Sequence, residues 1–367
     1  MAEIATIPSQ NDRDLRFDYL KVIGLLCIIL AHTEPGDVID QIRNFDVPLM
    51  VMVSGALFSN SAQTKQYKLK DYVIQRFWRL MAPVWCFFIF YFSFASFNSW
   101  MREKEYPYDW HDILGTFSTI DGIGYVWVIR VFLIIAVLSP GLLKLSQSIQ
   151  ENKKKLYGAI GIFLFYECVA TWVENWDTSD IYKNIAVVPG TLFYITQNIL
   201  IGKILFYAIA YSFVFLIGIW LRDLSRKSTQ VLSRVFGLIF FILGLLYFLN
   251  EGEFIRTQDY KYPPQLYYLS YALFMAILLY LGIDYLHKKQ KLSNRYINQW
   301  IVFISSSSLW VYLWHIFFLE YSAKNFLNIV ILSIATTGIQ KILISQIVDR
   351  TPWGRKNASL LKVLFLR

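Results

Sequence analysis

Ten apolar runs recur along the chain, at residues 17–34, 45–59, 80–97, 123–143, 156–174, 204–221, 234–250, 266–286, 300–321 and 327–348, each bounded by charged or turn-rich sequence. A helix needs about 20 mostly apolar residues to cross a bilayer, and in lipid a helix satisfies its own backbone whereas an isolated strand does not. The runs are therefore read as membrane helices. Composition agrees: 56% of the 367 residues are apolar, and ten crossings would use nearly all of them. Only 17% are charged, against about a quarter in soluble domains. An ordinary cytosolic enzyme is excluded.

Loop charge sets the topology. With the N-terminus inside, 24 of the 35 Lys and Arg residues fall in cytoplasmic segments and 8 in outer ones, and the bias holds to the far end of the chain. Basic residues collect on the cytoplasmic side of membrane proteins. The expected architecture is thus all-α, a polytopic bundle of about ten transmembrane helices with both termini cytoplasmic. The stretch 185–202 is also apolar, but Pro189, Gly190, Gln197 and Asn198 interrupt it. It is read as a re-entrant or interfacial segment, because an eleventh span would break the charge alternation.

This divides the chain into a cytoplasmic N-terminal segment (1–16), a membrane domain (17–348) and a basic cytoplasmic tail (349–367). Residues 1–16 lack a cleavage site, so the first run is expected to be retained as an anchor. The net charge of +9 orients the chain in the bilayer; nucleic acid is not an expected partner. Cys27, Cys86 and Cys168 lie in apolar runs without metal-ligand spacing, and no metal is expected.

Ionisable residues inside a bilayer are costly and therefore candidates for function. Lys21 and His32, eleven residues apart, fall on one face of the first helix, separated by about 16 Å along its axis. His32 suits proton transfer near neutral pH, or interhelical hydrogen bonding. Asp46 and Glu34 are the candidates to orient its ring, in the histidine–carboxylate manner. Ser54 and Gly55 offer a small surface for a neighbouring helix or a ligand. Arg76 and Arg79, three apart on one helix face, suit phosphate oxygens, or lipid headgroups. Trp127 leads a run that contains Arg130, a charge in need of a partner. His315 and Glu320 share a later run with four serines, which could line a polar cavity or channel, or serve interhelical hydrogen bonding. The outer loop 101–122 is rich in aromatic residues.

In order along the chain, these stretches resemble the membrane acyltransferase 3 family, bacterial O-acyltransferases of cell-surface polysaccharides. The family's Arg-x10-His pattern is kept from Lys21 to His32, with lysine in place of arginine; its Ser-Gly pair corresponds to Ser54-Gly55. Its Arg-x-x-Arg motif before a helix with an early proline corresponds to Arg76, Arg79 and Pro83, its helix-opening tryptophan to Trp127, and its late Tyr-Leu-x-His run to Tyr312, Leu313 and His315. The resemblance implies acetyl-CoA as co-substrate, His32 as catalytic residue, and Arg76 and Arg79, with Lys21, on the donor. It also implies a polysaccharide or lipid-linked sugar acceptor and a multi-pass location in the bacterial inner membrane; homo-oligomerisation is left open. Some members carry an esterase-like domain beyond the membrane core, and none is expected here. The competing reading is an exporter or flippase, or a non-enzymatic partner in surface-polysaccharide assembly.

Overall fold

The structure, a computed structural model, describes residues 13–63, 69–151, 154–174, 202–322 and 324–366. Among them the chain is helical, without a strand. All ten apolar runs form helices. The first two are α1 (Leu15–Ala31) and α3 (Asp46–Gln63), joined by a short outer helix α2 (Asp37–Arg43). Then follow α4 (Leu69–Met101), a short α5 (Trp110–Ser118), α6 (Val126–Glu151), α7 (Lys154–Glu174), α8 (Phe206–Leu221), α9 (Arg226–Glu251) and α10 (Leu266–Lys288). The ninth run is two helices, α11 (Arg295–Ser306) and α12 (Ser308–Tyr321); α13 (Phe326–Arg350) is the tenth, followed by the short α14 (Pro352–Lys356) and α15 (Ala358–Phe365). The expected re-entrant stretch lies outside the described residues, apart from Gly202.

Six of these helices are long and apolar enough to cross a membrane alone: those at Lys70–Met101, Val126–Gln150, Gly202–Leu221, Arg226–Glu251, Leu266–Lys288 and Phe326–Arg350. Their burial sorts them. The apolar windows of α8 and α10 are 61% buried and those of α9 and α13 only 17%, so the first pair is central and the second presents its side chains to lipid. The 17-residue α1 and 18-residue α3 are short, and pack against each other and against α10 in the interior.

The ninth span differs from the straight helix expected: it bends by 76° at Ser307. The run Ser305–Ser308 supplies the physical reason, since serine hydroxyls compete with helical backbone bonding. The break frees carbonyls that need partners. One is met from α1, where the Lys21 ammonium donates to the Ser305 carbonyl at 2.8 Å. Ser305 in turn donates its hydroxyl to Asp18 at 2.6 Å, and Arg13 holds that same carboxylate. Lys21 is thus occupied by helix capping.

Close packing of α3 on α8 depends on two glycines. A Cβ at Gly218 would lie 2.0 Å from the Met52 carbonyl oxygen, and one at Gly55 would lie 2.3 Å from that of Phe215. Small residues allow such backbone approach between membrane helices. Gly218→Val is therefore expected to cost more than the usual overpacking of about 1–3 kcal/mol, because backbone cannot move aside. Thermal unfolding in detergent should show a sharply reduced midpoint, with Gly141→Val, where nothing lies within 4 Å of the added Cβ, close to the parent; equal midpoints would refute the packing argument.

Candidate functional site

A cavity of about 490 Å3 opens among α1, α3, α4, α6, α8 and the α11–α12 break, a volume in the range of small-molecule sites. Its polar wall includes Lys21, Ser54, Tyr72, Arg76 and Arg79; Ser54 lies at the middle of α3, and the last three lie in the first turns of α4, at its cytoplasmic end. The Arg76 Nε donates to the Tyr72 hydroxyl at 3.2 Å, with the guanidinium 5.6 Å from that ring's centre, and Tyr72 is itself fixed on Ser139 at 2.9 Å. The two arginines expected to share a helix face thus do share a cavity. Ser54, whose hydroxyl donates to the Met50 carbonyl at 2.8 Å, faces the same space while Gly55 faces α8.

The far wall includes Ile28, one turn and about 6 Å before His32, and Tyr312. Behind Tyr312 sit two histidines. His32, the C-cap of α1, places its Nδ1 3.0 Å from the Nε2 of His315 on α12. The rings are nearly parallel, at 17° with centroids 5.2 Å apart, and Tyr125 meets the His32 ring edge-on at 4.6 Å. The Tyr312 ring lies 4.7 Å from that of His315, and its hydroxyl donates to the Tyr125 carbonyl. Neither histidine lines the cavity; Tyr312 stands between.

The carboxylates expected to orient His32 are elsewhere. Asp46 is 1% exposed, accepts from Arg43 at 2.7 Å, and has the Lys261 ammonium at 3.5 Å. The reason is electrostatic: Arg43, 5% exposed, needs an anion on each side and takes Asp40 and Asp46, both three residues away. Glu34 is 88% exposed in its side chain, with Lys324 at 4.0 Å as its ion pair. It stands outside the bundle because the α1–α2 connection turns there through positive φ at Glu34 and Gly36. Of the two readings of His315, channel lining and interhelical hydrogen bonding, the structure shows the second: it is the partner of His32. Glu320, of the same run, is exposed.

Arg130 has its partners, and they are structural. Its Nη1 donates to the carbonyls of Thr119 and Ile120, at 3.1 and 2.7 Å, and its guanidinium lies 5.3 Å from the Tyr207 ring centre. It pins the loop after α5 to the bundle. Lys203 holds the same loop through Asp121 at 2.8 Å. Partial burial opposes ionisation of Asp121, but the Lys203 hydrogen bond and charge outweigh it, and the carboxyl sits below the usual carboxylate range. Trp127 packs edge-on against Tyr262 and lies 5.4 Å from the Lys261 ammonium.

Lys261 was legible only as an outer-loop charge, yet it is 2% exposed, bonded to Asn44 at 3.0 Å and ringed by Trp127, Tyr262 and Tyr268. With Arg43 and Asp46 it forms a buried knot at the outer side. Nothing local in the sequence marks that position, though the spacing of Asp40, Arg43 and Asp46 marks its other half. Among the described residues, Asp109, His111 and Asp112 have ligand atoms within 4.8 Å of one another. Asp109 and Asp112 already serve as the capping box of α5, which accounts for their proximity.

These features define a polytopic helical membrane protein with a basic interior cavity leading toward a pair of imidazoles, of which His315 is buried and His32 half-buried. The chain matches the family described as Acyltransferase domain (Acyl_transf_3) over residues 14–344 and belongs to that family: it is a multi-pass membrane acyltransferase. No curated protein and no solved structure matches it.

Since Asp46 serves the outer knot, Asp46→Asn is expected to lower stability by several kcal/mol, the usual result of breaking a buried ion pair. Glu34→Gln should leave transfer activity within about twofold, as for surface changes in general. Thermal unfolding and acyl transfer, measured on both variants, check this; an Asp46→Asn protein of parental stability but without activity would return that carboxylate to the chemistry.

Proposed function

We propose that the protein transfers an acetyl group from acetyl-CoA to a hydroxyl of a cell-surface polysaccharide, or of its lipid-linked precursor, in the inner membrane of a bacterium. The observation that carries this reading is the course of the cavity. It runs from Arg76 and Arg79 to Ile28 and Tyr312, the residues that adjoin His32 and His315. Two guanidinium groups suit the CoA phosphates, and the extended pantetheine arm suits a narrow, mostly apolar path. Water kept from that path does not hydrolyse the thioester.

His32 then acts as general base. Its free ring nitrogen takes the acceptor hydroxyl's proton as the oxygen attacks the thioester carbonyl. The tetrahedral adduct collapses with cleavage of the C–S bond, and the imidazolium returns the proton to the CoA sulfur. The products are the sugar ester and free CoA. Lys21 supports this donor site by holding the α11–α12 break in place.

His32→Ala is expected to lower transfer by about 10²–10⁴-fold, measured as acetate released by mild base from the purified surface polymer. Arg76→Glu should raise the acetyl-CoA concentration for half-maximal transfer at least tenfold, the scale of a lost charge-assisted hydrogen bond. Normal ester content in the His32→Ala strain would refute the assignment. Polymer that is absent rather than unacetylated would favour the exporter reading.

A further inference from the structure

We infer that His315 is the positioning residue that fixes which nitrogen of His32 acts as base; the inference rests on His32 being that base. The argument begins at the buried end of the pair. His315 is 0% exposed, and its Nδ1 contacts the carbonyl of Tyr312, one turn earlier on the same helix. A carbonyl oxygen accepts and cannot donate, so Nδ1 carries the hydrogen. A neutral imidazole has a single N–H, which leaves a lone pair on the His315 Nε2. That atom lies 3.0 Å from the His32 Nδ1. Two lone pairs do not bond, and so the His32 Nδ1 carries the hydrogen and donates. The Nε2 of His32 is then left with the lone pair that a base requires.

The surroundings hold the pair in this state. A positive charge on His315 would be buried without an anionic partner, which is costly, and neither Asp46 nor Glu34 stands near it. The Tyr125 ring closes on both imidazoles, with centroids 4.6 Å from His32 and 6.1 Å from His315, and the Tyr312 hydroxyl fixes the Tyr125 backbone. The place held by a carboxylate in a Ser-His-Asp triad is thus filled by a neutral histidine anchored on a backbone carbonyl. During transfer the acceptor's proton moves to the His32 Nε2 and then to the departing sulfur. The Nδ1 proton stays in its bond to His315 throughout, so His315 exchanges nothing with substrate and contributes by orientation and tautomer alone.

The test compares His315→Leu, which removes the acceptor, with His315→Gln, whose side-chain carbonyl can accept from the His32 Nδ1–H. Purified, reconstituted protein is assayed for acetyl transfer, with folding followed by size exclusion and thermal unfolding. His315→Leu is expected to lower kcat at least a hundredfold, the scale of a wrong tautomer, with KM for acetyl-CoA within about twofold. His315→Gln should recover at least tenfold of that loss. If His315→Leu does not fold, His315→Met replaces it as the apolar variant. A folded apolar variant with parental kcat overturns the inference, as does a His315→Gln protein no better than the apolar one. His32→Ala separates the two readings. Active His32→Ala removes the base itself, whereas inactive His32→Ala beside fully active His315→Leu removes only the role of His315.

Discussion

The hydrogen bond from the Lys21 ammonium to the Ser305 carbonyl is the contact on which the interior depends. A bilayer supplies no water to a broken helix, so the carbonyls freed at the α11–α12 bend must be met from within the protein. Helix α1 meets one of them, the Ser305 carbonyl. Asp18 and Lys21 engage Ser305, and one helix length further His32 engages His315. The same two elements are therefore tied at both ends of a shared face. The cavity opens between these ties, because a helix bent by 76° cannot pack along its whole length against a straight neighbour.

Polarity in the bundle is arranged in three tiers. Toward the cytoplasm lies a cationic wall of Lys21, Arg76 and Arg79; next comes the neutral imidazole pair; at the outer side lies the knot of Arg43, Asp46 and Lys261. With Asp40, the second carboxylate on Arg43, the outer knot sets two carboxylates against two cations, as buried charges require. The inner wall bears more cations than anions, which leaves it able to receive an anionic donor. That asymmetry gives the proposed transfer a direction, with the donor entering from the cytoplasm and the acyl group travelling toward the outer side.

The elements of the fold were legible because their cause is local. Ten apolar runs in the sequence became helices, and the spacing of Arg76 and Arg79 put both on one cavity wall. The break at Ser307 was written in four consecutive serines, but its consequence was not, since the capping lysine lies 284 residues away in sequence. The partner of His32 was hidden for the same reason: Asp46 and Glu34 are near it in sequence, while His315 is near it only after α12 has folded back against α1. Asp46 was drawn away by Arg43, a residue whose demand for two carboxylates is visible at three-residue spacing once Arg43 is known to be buried. Lys261 shows the limit most plainly, for its burial follows from the packing of an outer loop that carries no apolar pattern.

The central claim is that one continuous path joins the basic cavity to the imidazole pair, and a cryo-EM structure of the reconstituted protein with a non-hydrolysable acetyl-CoA analogue tests it most directly. The account predicts the analogue's phosphates on Arg76 and Arg79, its arm beside Ile28, Tyr312 displaced or alongside, and the acyl carbon within about 3 to 4 Å of the space served by the His32 Nε2. Density for the arm that ends away from the histidines, or phosphates bound elsewhere on the protein, would contradict it.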